Sequence, residues 1–136
     1  MKVKNRKSKR VPERDVQKIT ETSEPDYDKE HPLFSFKYLS SGFCIFDCDR
    51  DDKAAFADTL RKLSQLTWEQ LAKNDRHKLG FELIPKDQIR ATAPPYFEGE
   101  TKFMVFRFNG MMPMLGVRMK NIYHVIWIDK NHKIYS

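Results

Sequence analysis

The chain has little of what builds secreted or membrane proteins. Its only cysteines are Cys44 and Cys48. Read as part of a strand, four positions separate them by about 13 Å, too far for a disulfide without a bend. Two thiols also fall short of a Cys-rich zinc site. No run approaches the ~20 apolar residues that cross a bilayer. Six Lys or Arg among the first ten residues are followed by a mostly polar stretch over 11–30, which is not the apolar core of a secretory signal, so a cytoplasmic protein is expected. P-loop, GxGxxG and nucleophile-elbow motifs are missing as well, which leaves nucleotide and hydrolase readings without a motif. No internal repeat is visible. At 136 residues, the length argues against a two-domain enzyme or a large α/β barrel.

What is present is charge, unevenly placed. The formal net charge is +6, from 25 Lys and Arg against 19 Asp and Glu. Residues 1–10 carry six cations and no acid, whereas 11–30 carry seven acids against three cations. With few apolar residues to offset its ordering entropy, the segment 1–30 is expected to be a disordered charged tail. Such a tail serves either as a solvated solubility element or as an electrostatic tether to nucleic acid.

The composition changes at His31-Pro32, where a single domain spanning 31–136 is expected to begin. Phe34 to Tyr38 and Phe43 to Cys48 are short β-prone runs around Ser40-Ser41-Gly42, which predicts a hairpin. Asp49, Asp51 and Asp52 offer caps for an amphipathic helix carrying Phe56, Leu60, Leu63 and Leu66. Thr67 to Gln70 fits a capping box for a second short helix, with Asn74 and Gly80 as stops. Phe81 to Ile84 is a candidate strand ended by Pro85, and Ile89 to Gly99 reads as a loop. Three β-prone stretches follow, Lys102 to Asn109, Met114 to Lys120 and Ile122 to Asp129, with Lys133 to Tyr135 as a candidate final edge. The expected fold is therefore α+β, two helices packed on an antiparallel sheet.

Positive charge returns in that sheet. Residues 101–136 hold Lys102, Arg107, Arg118, Lys120, Lys130 and Lys133 against Asp129 alone. If Val105 pairs with Arg118 and Arg118 with His124, then Arg107, Arg118 and His124 share one face; a slip of one residue separates them. Two guanidinium forks beside an imidazole would suit a phosphodiester. RNA carries its own nucleophile, the 2′-OH, so such a site needs no metal and no cofactor. The alternative is that the arginines are solvent-face residues and His124 a packing histidine. His132 and Tyr135 lie just beyond the last strong strand, and a metal site of His124, Asp129 and His132 matches no strong ligand spacing. Arg76-His77-Lys78 is a further basic cluster, suited to RNA contact or to a helix C-terminus.

The run Phe103-Met-Val-Phe-Arg107-Phe, then Leu115-Gly-Val-Arg118, then Tyr123-His-Val-Ile-Trp-Ile-Asp129, closing on His132 and Tyr135, resembles the C-terminal sheet of the RelE/ParE-type toxin superfamily. As a topology the resemblance spans about residues 33–135. It implies either a ribosome-dependent or free mRNA endoribonuclease or a protein acting on gyrase, with a cognate antitoxin as partner and no cofactor. In the ribonuclease reading, Arg107 and Arg118 would hold the scissile phosphate and His132 or Tyr135 would be the late acid/base group, with His124 beside them. Lys78, His77, Lys120 and Lys133 would contact RNA. The other reading is a non-catalytic protein- or nucleic-acid-binding module, because fold does not imply function.

Overall fold

The computed structural model describes residues 24–74 and 79–135. Two helices and a five-stranded mixed sheet make an α+β fold. Helix α1, Arg50–Leu63, starts where the sequence has carboxylates to cap it. The Asp49 side chain accepts from the Asp52 N–H at 2.8 Å, and the Asp52 carboxylate reaches back to the Asp49 N–H, so both first-turn donors are satisfied. Arg61 and Lys62 occupy the last turn, where cations oppose the helix dipole. Helix α2, Trp68–Lys73, repeats the device with Thr67 and Gln70 and stops at Asn74. No helix among the described residues is long and apolar enough to cross a membrane.

The strands are β1, Leu33–Ser35; β2, Phe81–Pro85; β3, Lys102–Phe108; β4, Met112–Met119; and β5, Ile122–Ile128. Their order is β1-β5-β4-β3-β2. β3 to β5 form the expected antiparallel meander and the candidate strand β2 joins it antiparallel beside β3, but β1 runs parallel to β5, pairing Leu33 with Ile122 and Ser35 with His124. The sheet is thus mixed and the expected hairpin at 34–48 is absent. Its second run becomes a 3-10 turn at Ile45–Asp47. The reason lies in the backbone partners: Ser40 N–H donates to the Ile126 carbonyl at 2.8 Å and Ile128 N–H to the Phe43 carbonyl at 2.7 Å. Residues 36–43 are therefore stitched to β5 and leave no partner strand for 43–48. Residues 24–30, expected to be tail, carry a 3-10 turn at Tyr27–Lys29 and a bond from Trp68 N–H to the Glu30 carbonyl. The rest of the expected tail, 1–23, lies outside the described residues.

Both faces of the sheet are covered. On one, α1 and α2 press Phe56, Leu63, Trp68 and Leu71 onto Met104, Phe106, Met114 and Val125. On the other, Phe97 and Ile134 from loops cover Phe103, Val105, Leu115 and Val117. Burial on two sides explains why β3 to β5 read as near-continuous apolar runs rather than alternating ones. Tyr123 is fully buried, its hydroxyl donating to the Met104 carbonyl at 2.8 Å, and burial pushes its phenol well above the ordinary range. A second buried polar group, Asp52, accepts from the Asn109 side chain at 2.7 Å and faces Lys130 at 3.8 Å. It ties the start of α1 to the β3–β4 turn and to the exit of β5.

The β4–β5 register shifts between Leu115 and Gly116, leaving Ile126 as the extra residue of a bulge. Ile126 and the next residue, Trp127, both enter the loop-side core. The bulge brings the His124 carbonyl so close to Gly116 that a Cβ there would overlap it. Gly116→Ala is expected to destabilise the protein by about 2–3 kcal/mol through backbone displacement, read as a lowered denaturant midpoint. A midpoint equal to that of the unsubstituted protein would contradict the close approach.

Candidate functional site

The register decides which of the sequence's candidate residues meet. Val105 pairs with Leu115, Arg107 with Pro113 and Arg118 with Tyr123, while His124 pairs with Val117. Arg107 consequently lies with Val105 on the loop-covered face. Arg118 lies on the helix face, its guanidinium 4.4 Å from the centre of the Trp68 ring. His124 returns to the loop face but at the far end of the strands, among Tyr38, Tyr96 and Phe97 with ring centres 5.5–6.4 Å away. Arg107, Arg118 and His124 do not converge.

Arg107 has different company. Glu82, on β2 opposite Val105, points to the same face, and its carboxylate meets the Arg107 guanidinium at 3.0 Å. The side chains of this pair are only 13% and 15% exposed. The other end of the fork donates to the Met111 carbonyl at 2.7 Å. Tyr135 completes the cluster: its hydroxyl lies 3.5 Å from the second Glu82 oxygen and its ring 5.8 Å from the guanidinium. On the helix side of the β3–β4 turn, across the sheet from this cluster, Arg107 and Phe108 also border a cavity of about 390 Å³ walled by Thr59, Lys62, Leu79 and the turn Asn109-Gly110.

Tyr135 is brought there by Asp129. This carboxylate is fully buried and accepts from the backbone N–H groups of Lys133, Ile134 and Tyr135 at 2.8–2.9 Å. The Asp129 carbonyl takes the His132 N–H, and His132 adopts a left-handed φ of 54° to make the turn. Ile134 is then buried in the loop-side core, and its carbonyl accepts from the Arg90 N–H at 3.0 Å. The expected edge strand at 133–135 is therefore replaced by a carboxylate-centred turn. Asp129 is committed to backbone donors, and no metal-holding group of three or more His, Cys, Asp or Glu occurs among the described residues.

Of the sequence's candidates, Arg107 and Tyr135 meet. His132 and Lys133 share the turn that positions Tyr135. Arg118 and Lys120 sit at the other end of the sheet on the helix side, paired with Asp28 at 2.8 Å and Glu24 at 3.2 Å. His77 and Lys78 lie outside the described residues. Sequence reasoning missed Glu82. Its signal was a single carboxylate inside the apolar run Phe81 to Ile84, a position that strands seldom give to an unpartnered acid.

Chemically, the cluster offers a planar guanidinium able to take two phosphate oxygens, a carboxylate able to accept a proton and a phenol able to give one. His124 stands apart from this cluster, at the far end of the strands. Its Nδ1 is buried without a hydrogen-bond partner, and burial, with Lys37 nearby, lowers its pKa below the ordinary 6.5.

Two tests follow from this geometry. Asp129→Ala strips three buried N–H groups of their acceptor and should cost about 3 kcal/mol or more, with faster hydrogen exchange at 133–135; unchanged exchange there would show that the turn does not depend on Asp129. Because the unfolded chain protonates His124 at higher pH than the folded one, the stability it contributes is fully present above about pH 6.5 and is lost as the pH falls below it. His124→Phe should therefore flatten the loss of melting temperature between pH 7 and pH 5; an equally steep loss would refute the assignment. Comparison with family models, with curated proteins and with solved structures found no match to this chain.

Proposed function

We propose that the chain is an RNA-directed endoribonuclease, similar in plan to the RelE-type toxins, that cleaves by attack of the 2′-OH on the adjacent phosphorus. The observation that carries this reading is the Arg107–Glu82–Tyr135 cluster, in which the Glu82 carboxylate lies 3.0 Å from Arg107 and 3.5 Å from the Tyr135 hydroxyl. An incoming phosphate would take the place of Glu82 on the Arg107 fork. Glu82, released but adjacent, would accept the 2′-OH proton. The 2′-oxygen bonds to phosphorus, the bond to the 5′-oxygen breaks, and Tyr135 gives its proton to the leaving oxygen. The products are a 2′,3′-cyclic phosphate and a 5′-hydroxyl. Arg107 would stabilise the charge that develops on the phosphoryl oxygens, where fixed donors have their largest effect.

Two helices lying between β1 and a basic meander support the same reading at the level of topology. Under it, mRNA or the ribosome would be the target, a cognate antitoxin protein the regulator, and Lys133 with His132 the flanking contacts. The second reading, a non-catalytic binding module, is favoured by one observation: Glu82 already neutralises Arg107, as it would in a purely structural ion pair.

Incubation of the purified protein with mRNA, with and without ribosomes, separates the two. Arg107→Ala and Glu82→Gln should each lower cleavage about 100-fold or more, Tyr135→Phe should lower it as well, and Arg118→Ala should leave the chemical step intact. Absence of cleavage in both conditions, or cleavage indifferent to Arg107, would overturn the enzyme reading.

A further inference from the structure

Arg118 is a firmly positioned cation on the helix side of the sheet. Its plane rests on the buried Trp68 ring at 4.4 Å, and its Nε donates to the Lys120 carbonyl at 2.7 Å. With one face and one edge fixed, the remaining edge points outward, and there Nη2 meets the Asp28 carboxylate at 2.8 Å. Lys120, two residues on, meets Glu24 at 3.2 Å and lies 5.9 Å from the centre of the Tyr27 ring. The hydrogen bond that Lys120 donates to Glu24 raises its pKa, so the ammonium stays charged.

The segment that supplies these acids is lightly attached. None of Tyr27–Lys29 is buried, and the Asp28 and Glu24 side chains are 64% and 70% exposed. Among the described residues its backbone bonds to the rest of the fold lie at one end, where the Glu30 carbonyl accepts from the Trp68 N–H at 3.0 Å and Leu33 N–H donates to the Asn121 carbonyl at 2.9 Å. Residues 24–28 can therefore peel away while Glu30 stays anchored. Solvent-exposed ion pairs of this kind are weak and are screened by salt, so a ligand with several phosphates can compete for the same two cations.

We infer that Arg118 and Lys120 form a second RNA-docking surface, which the acidic segment Glu24–Glu30 occupies as a built-in competitor. The inference rests on the reading that the protein takes RNA, but it concerns the sheet face opposite the Arg107 cluster and needs no cleavage. Two carboxylates stand where two phosphates of a strand would stand. The Arg118 fork, held flat by Trp68, would grip one phosphate and Lys120 its neighbour.

The test is fluorescence anisotropy of the full chain with a labelled 2′-O-methyl RNA oligonucleotide, which cannot supply the attacking hydroxyl. Glu24→Gln with Asp28→Asn should tighten binding about three- to tenfold and steepen its salt dependence. Asp26→Asn with Glu30→Gln makes the same charge change in the same segment without removing either ion pair, and should tighten binding much less. Adding Arg118→Ala, or Lys120→Gln should loss of the Trp68 contact unfold the former, to the first double variant should abolish the gain. An equal gain in both doubles would reduce the effect to net charge and overturn the inference, as would no gain in either. A gain that persists with Arg107→Ala, alongside absent cleavage, would defeat the ribonuclease reading alone; Arg107-dependent cleavage without the gain would defeat this inference alone.

Discussion

Asp129, at the exit of β5, is a carboxylate removed entirely from water and compensated by three backbone N–H groups from the residues that follow it. A buried charge is tolerated only with that degree of hydrogen bonding, so the carboxylate dictates the path of the chain after the last strand. The turn it closes seats Ile134 in the loop-side core and delivers Tyr135 to Glu82 and Arg107. Without it the loop face of the sheet would lose one of its covers, and the Arg107–Glu82–Tyr135 cluster would lose the one member that comes from outside the sheet. Stability of that face and chemistry of the cluster thus rest on the same set of bonds.

The second constraint is covering the sheet on both sides with a short chain. Helices supply one side, and on the other the segments 36–43 and 86–97 and the C-terminal turn must do the work. Polar side chains are left only at strand ends and margins, which is where Arg107, Arg118 and Glu82 lie. The bulge at Ile126 reinforces the separation by placing two consecutive bulky residues of β5 into the loop-side core. Arg107 and Arg118 end on opposite faces because their strands keep ordinary alternation, and the pairing of Arg107 with Pro113 sets Arg118 an odd number of positions, five, further along β4.

The elements legible in the sequence are those whose signals are local. Asp49 with Asp52 and Thr67 with Gln70 announce both helix starts, and the apolar spacing from Phe56 to Leu63 announces which face is buried. Asn109-Gly110 and Lys120-Asn121 mark the meander's turns, with Asn109, Gly110 and Lys120 at positive φ. Illegible were the features set by distant partners. Nothing between Phe34 and Cys48 records that β5 will take Ser40 and Phe43, so aromatic and branched residues there read as a hairpin. Register was undetermined because β3 and β5 are apolar on both faces and offer no polar stripe to fix it. Of the candidate cluster, Arg107 and Tyr135 were visible as chemistry but not as neighbours, and Glu82 was hidden inside a strand whose partner could not be assigned.

The overall charge of +6 suggests a basic surface waiting for a polyanion, yet the sheet's cations are largely engaged within the fold. Arg107 is held by Glu82, Arg118 by Asp28, Lys120 by Glu24, and Lys130 faces Asp52. Any phosphate arriving at these sites exchanges with a carboxylate instead of filling an empty place. The pairs differ in what that exchange entails. Asp28 and Glu24 are more than half exposed, so a competing anion reaches their partners with little desolvation. Glu82 and Arg107 are largely enclosed, so separating them is costly unless the newcomer restores every hydrogen bond. On the proposal that the protein takes RNA, the strand would dock first on the helix side of the sheet and engage Arg107 only when its phosphate geometry fits, and the enclosed pair would be the selective one.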